Sequence, residues 1–107
     1  MSAKPIIPRT RAEQDIDEAI THYLDEQAPR AASGFVDALE AAYRHIARHP
    51  ASGSSRYAHE LDLPDLRSWP LSRYPFLVFY VECPQHIDVW RVLHTRRDLP
   101  AWLQESG

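Results

Sequence analysis

The sequence predicts an α+β domain: an N-terminal edge strand, an antiparallel helical hairpin packed on a small antiparallel β-meander, and a short C-terminal helix. Three observations predict it. Segments rich in β-branched and aromatic residues, Leu66–Arg73, Phe76–Glu82 and Ile87–Leu93, are separated by Tyr74-Pro75 and by Cys83-Pro84-Gln85-His86, the pattern of consecutive antiparallel strands. Two apolar stripes of helical period precede them, between Thr10 and His49. The length, 107 residues, is enough to bury one core without disulfides or metal and too little for a second domain.

In chain order, Lys4–Arg9 (KPIIPR) is flanked by prolines, which cannot donate to a ladder, so it is an edge strand at most. Thr10 followed by Glu13 has the spacing of a capping box and predicts a helix start. Ala12, Ile16, Ala19, Ile20, Tyr23 and Leu24 then mark one helical face, while Asp15, Asp17, Glu18, Asp25 and Glu26 fill the other. Gln27–Arg30 breaks the pattern, and Pro29 suits the first turn of a second helix. Its stripe, Ala32, Phe35, Val36, Leu39, Ala42, Tyr43 and Ile46, ends at His49 before Pro50. Gly34 weakens this helix locally or admits another backbone.

The short connection makes the two helices an antiparallel hairpin, and the sheet is the surface they have to cover. Pro50–Ser55 is a loop, and Arg56–Asp65 reads as irregular with at most a short turn. In the last strand Ile87, Val89 and one of Val92 or Leu93 point one way, opposite Asp88, Trp90 and Arg91. Asp98 caps a brief helix, Leu99–Gln104, whose Trp102 and Leu103 dock on the body.

Composition narrows function. No apolar run approaches the roughly 18 residues that span a bilayer, and the N-terminal MSAKPIIPRT has no signal-peptide core. A single cysteine, Cys83, excludes an internal disulfide; with the missing signal it places the chain in the cytoplasm, touching no membrane. The formal net charge of −3 excludes a protein that coats nucleic acid with its whole surface. The charge is polarised: Arg11–His49 carries eight acids against four arginines, Leu66–Arg97 five arginines against two acids. Eleven of the twelve basic residues are arginine, a bias that a GC-rich genome also yields.

Most chemical signatures are weak. His45 and His49 are spaced to share an ion on a helix, but no third ligand is identifiable, so neither metal nor cofactor is expected. Ser52, Ser54 and Ser55 near His59 lack a nucleophile elbow. With three glycines in the chain, there is no phosphate-binding glycine loop. The cationic strand end stands out: Arg67, Arg73, Arg91, His94, Arg96 and Arg97, interleaved with Trp69, Tyr74, Tyr80 and Trp90, carry the guanidinium and aromatic chemistry that holds phosphate and stacks on bases. The same aromatics read equally well as core, and the arginines as partners of the acidic hairpin.

The order strand, helical hairpin, meander, with TRAEQDIDEAITHYLDEQAP, ARHPASG, LRSWPLSRYPFLVFYV and VWRVLHTRRD, resembles the RelE/ParE superfamily of type II toxin–antitoxin toxins, specifically its ParE branch. The resemblance covers Pro8 to Asp98 and implies a single toxin domain over residues 1–107. It implies a growth-inhibiting toxin neutralised by a ParD-like antitoxin in a hetero-oligomeric complex, with DNA gyrase as target. Target-binding residues would be Arg67, Arg73, Trp90, Arg91, His94, Arg96 and Arg97, without sequence-specific nucleic-acid binding by the free toxin. In that branch no residue is catalytic. RelE-like relatives are instead ribosome-dependent messenger-RNA endonucleases, and His94 with Arg73, Arg91 and Arg96 would be the catalytic set of that alternative. Past Arg91 there is no tyrosine or lysine, and His94 alone transfers a proton near neutral pH, which favours the ParE branch. A further alternative is an inactive homologue that only binds its antitoxin.

Overall fold

The computed structural model describes residues 3–106. The elements are β1 (Ile6–Pro8), α1 (Thr10–Asp25), α2 (Pro29–Arg48), a 3-10 turn (Pro50–Ser52), α3 (Arg56–Leu61), β2 (Leu66–Pro70), β3 (Phe76–Glu82), β4 (Ile87–His94) and α4 (Leu99–Ser106). The sheet order is β1-β4-β3-β2, with β1 parallel to β4 and the other neighbours antiparallel. The predicted α+β architecture is the observed one.

Both sheet faces are covered, which is why β3 reads as the unbroken apolar run FLVFYV. Phe76, Val78 and Tyr80 meet the hairpin, where Phe35, Leu39, Ala42 and Ile46 of α2 and Ala12 and Ala19 of α1 complete the main core. On the other face Leu66, Phe79 and Leu93 pack with Leu99 and Leu103 of α4 and with Tyr57, Ala58 and Leu61 of α3. That second layer requires α3, and Arg56–Leu61 is helical where the sequence reads as irregular. The correction has a local cause: six residues are too short to show a helical period, but Tyr57, Ala58 and Leu61 turn one face to the sheet.

The boundaries differ at two further places. α1 begins at Thr10, but Arg9 occupies the cap position with extended backbone, and no side chain caps it among the described residues. The capping box is absent because β1 runs straight into the helix: the Arg9 N–H still donates to the Val89 carbonyl at 2.9 Å. β2 ends at Pro70, not Arg73, since Arg73 adopts φ 69° in the turn to β3. The α1–α2 connection is likewise closed by a left-handed residue, Gln27 at φ 57°, with the Ala28 N–H donating to the Tyr23 carbonyl at 2.9 Å.

Gly34 admits a side chain. Any Cβ there would collide with the Tyr74 hydroxyl, which donates to the Ala31 carbonyl at 2.9 Å and ties the β2–β3 turn to the start of α2. Tyr80 does the same from mid-sheet: its hydroxyl donates to the Pro50 carbonyl at 2.7 Å and accepts the Gly53 N–H at 3.1 Å.

A β-bulge in β4 sets the geometry of the site. Phe79 pairs with Arg91 and Tyr80 with Val89, leaving Trp90 as the extra residue. The phase of side chains shifts by one, so Val92 joins Ile87 and Val89 under the hairpin while Leu93 faces α4.

Candidate functional site

The bulge places Arg91 opposite Phe79, on the side of α4, just beyond the point where β1 stops pairing with β4 at Val89. Its guanidinium lies at this uncovered edge and is 1% exposed. Nε and Nη2 donate to Asp15 Oδ2 and Oδ1 of α1, each at 2.7 Å, while Nη1 donates to the Trp102 carbonyl of α4 at 3.3 Å. Asp15 Oδ2 also accepts the Val92 N–H at 3.0 Å, so a carboxylate takes over the edge of β4 where the parallel strand ends. One buried ion pair thus joins α1, β4 and α4 with its hydrogen-bonding groups engaged on three elements.

Around this pair a cleft of about 350 Å³ opens between α1, the end of β4 and α4. Phe76, Val92 and Trp102 supply its apolar lining, and Glu18, His22, His94, Arg96 and Arg97 its polar groups. Arg97 lies over the Trp102 ring at 4.4 Å and Arg91 lies 5.2 Å from the same ring, so two guanidiniums orient one indole. The Arg96 N–H donates to His94 Nδ1 at 3.0 Å, which leaves the proton of the neutral ring on Nε2. Burial, then Arg96, Arg97 and His22 in turn, push His94 below the usual histidine range. The ring also packs edge-on against Phe76, centroids 5.1 Å apart.

The sequence-predicted residues separate into three places. His94, Arg96 and Arg97 line the cleft, and exposed Arg73 belongs to the adjoining turn, which the Thr95 N–H joins by donating to the Pro75 carbonyl at 2.8 Å. Arg91 is the buried pair described above. Trp90 and Arg67 lie elsewhere: Trp90 Nε1 donates to Asp88 Oδ2 at 3.1 Å beneath the Arg9 guanidinium, 4.5 Å from the ring. Arg67 reaches from edge strand β2 to the Gly53 carbonyl at 2.9 Å.

Asp15 is the residue that reading the sequence as two faces misses. It sits three residues after Ala12 and four before Ala19, inside the buried stripe, and a carboxylate there signals a buried cation. Two other groups carry no reaction chemistry. His45 stacks on Trp69, centroids 4.0 Å apart, and contacts Ser52 Oγ at 2.9 Å. The Ser52 hydroxyl proton goes to the His49 carbonyl at 2.7 Å, so Ser52 accepts from His45 and is not activated by it. Among the described residues no three His, Cys, Asp or Glu side chains converge on a metal position, and no helix is long and apolar enough to cross a membrane.

An N-terminal parallel strand, a helical hairpin on a meander, and a cationic cleft closed by a C-terminal helix define the toxin fold of the RelE/ParE kind. The family model described as ParE toxin of the type II toxin–antitoxin system parDE matches residues 6–99, and the chain belongs to that family. A solved structure titled "Chromosomal ParDE TA system from P. aeruginosa" is similar at TM-score 0.71 and 18% identity, covering 88% of this chain and 98% of that one. No curated protein matches.

Proposed function

We propose that this ParE-family chain is the toxic component of a toxin–antitoxin pair that inhibits DNA gyrase in the cytoplasm and is neutralised by a ParD-like antitoxin in a hetero-oligomeric complex. The family match across residues 6–99 carries the reading, and the structural likeness to a ParDE protein supports it. The surface offered to the target is the cationic end: Arg73, His94, Arg96 and Arg97. Arg67, Trp90 and Arg91 serve the architecture, through Gly53, Asp88 and Asp15 respectively.

The geometry supports a toxin that binds rather than cleaves. Phosphodiester cleavage needs cations free to meet the developing charge. Arg91, one of the cations of the alternative set His94, Arg73, Arg91 and Arg96, is already held by both oxygens of Asp15.

The test is a supercoiling assay with gyrase and purified protein, run beside a ribosome-dependent message-cleavage assay. Lost supercoiling or trapped gyrase–DNA complexes with intact message support the proposal. Message cleavage that disappears in His94→Ala sinks it and makes His94 catalytic. Silence in both assays with retained antitoxin binding identifies an inactive homologue.

A further inference from the structure

The cleft is more specific than a basic patch. Its volume of about 350 Å³ is comparable with small-ligand pockets. Its lining is mostly apolar, through Phe76, Val92 and the Trp102 indole, and the exposed Arg96 and Arg97 line it too. Within it sits one carboxylate not committed to Arg91, that of Glu18, together with His94, whose Nε2–H is a donor in the neutral ring.

A planar heteroaromatic group fits the apolar lining, an exocyclic amine suits Glu18, and a phosphate suits the two arginines. An acidic peptide satisfies the arginines but sets its carboxylates against Glu18 and offers that group no side-chain donor. We infer that this cleft binds one nucleotide of single-stranded DNA, the base against Phe76 and Trp102 and the phosphate at Arg96 and Arg97. This deepens the reading of the cationic end as the target-facing surface and rests on it: strands unpaired in a gyrase–DNA complex are where such a nucleotide would be met.

Binding of this kind reads chemistry more than sequence. Cytosine presents an amine to Glu18 and thymine presents none, so the cleft prefers oligo(dC) to oligo(dT).

The test needs no gyrase, so it fails or succeeds apart from the functional reading. Fluorescence anisotropy of labelled oligo(dC), about a dozen nucleotides long, is measured with the full chain from about 20 mM salt upward, where phosphate contacts are strongest. We expect salt-dependent binding whose logarithmic slope falls by about 0.7 in the Arg96→Ala/Arg97→Ala double variant, the one phosphate contact being lost. Arg56→Ala, at an exposed residue of α3, should leave the slope unchanged. Oligo(dC) should bind about fivefold tighter than oligo(dT), and Glu18→Ala should erase that preference.

Absence of binding, or equal binding by the double variant, overturns the inference. Equal affinity for an abasic oligomer overturns the base-binding part. Displacement of the oligonucleotide by oligoglutamate of equal charge, as effective as by unlabelled oligo(dC), assigns the cleft to an acidic peptide instead.

Discussion

Asp15 and Arg91, 76 residues apart, meet in a two-pronged ion pair at the edge of the sheet, both bonds 2.7 Å long and both residues buried. The pair stands where β1 has ended and the bulge at Trp90 has turned Arg91 toward α4, so it closes an edge that the short proline-flanked strand leaves open. Removing one partner leaves a buried charge uncompensated. Asp15→Asn should therefore cost about 3–5 kcal/mol, a large part of the stability of a domain this size. Arg91→Met should be comparable, and the double variant should cost less than the two together. Urea unfolding at constant slope measures all three; additive losses would mean that the two side chains are not energetically coupled.

Gly34 and Tyr74 give a second cycle. Alanine normally gains about 1 kcal/mol over glycine inside a helix, but at Gly34 its methyl meets the Tyr74 hydroxyl. That ring cannot swing away, being packed edge-on against Tyr23 and Phe35 at 5.7 and 6.0 Å. Gly34→Ala should destabilise by about 1–3 kcal/mol in the native background and should be neutral or stabilising when Tyr74 is phenylalanine. Equal effects in both backgrounds would refute the contact.

Tyr43 on α2 has a buried hydroxyl with no hydrogen-bond partner among the described residues, and burial, aided by Glu13, pushes it up to about 12. Tyr43→Phe removes an unmatched polar group and should stabilise by about 1 kcal/mol. The folded state holds this proton more tightly than the unfolded one, whose tyrosine titrates near 10. Its contribution to stability is thus complete below pH 10 and lost as pH rises toward 12, and the phenylalanine variant should lack that decline.

His94 titrates in the opposite sense. Its folded value is depressed, so its contribution to stability holds above about pH 6.5 and is lost as pH falls through the folded value. A histidine NMR titration should find its midpoint below 6.5, raised but still low in Arg96→Ala/Arg97→Ala, because burial, the largest cause, remains. A midpoint unmoved by the double variant would place the arginines away from the ring.

Strands and hairpin were legible because their apolar periods of two and 3.6 residues are long enough to read, and Pro29 and Pro50 punctuate the helices. α3 was not, being shorter than two turns. The cationic end was legible as composition, but its division was not. The sequence already sets Arg91 opposite Val89, and the bulge at Trp90 is what holds it there, but nothing in the side-chain pattern shows its guanidinium buried against Asp15 while His94, Arg96 and Arg97 line the cleft. Arg67 is set apart by the meander itself, which puts β3 between β2 and β4, and Trp90 by its contacts with Asp88 and Arg9, which sequence spacing does not show. Asp15 was the missed clue, a charge within the stripe of Ala12 and Ala19.

The most direct test is gyrase supercoiling with the native chain, the Arg96→Ala/Arg97→Ala double variant and the Arg56→Ala control, each first shown by its unfolding curve to be folded. Inhibition by the native chain and the control, strongly weakened in the double variant, is the predicted result. Full supercoiling in the presence of excess native protein, with messages cut on the ribosome, would contradict it.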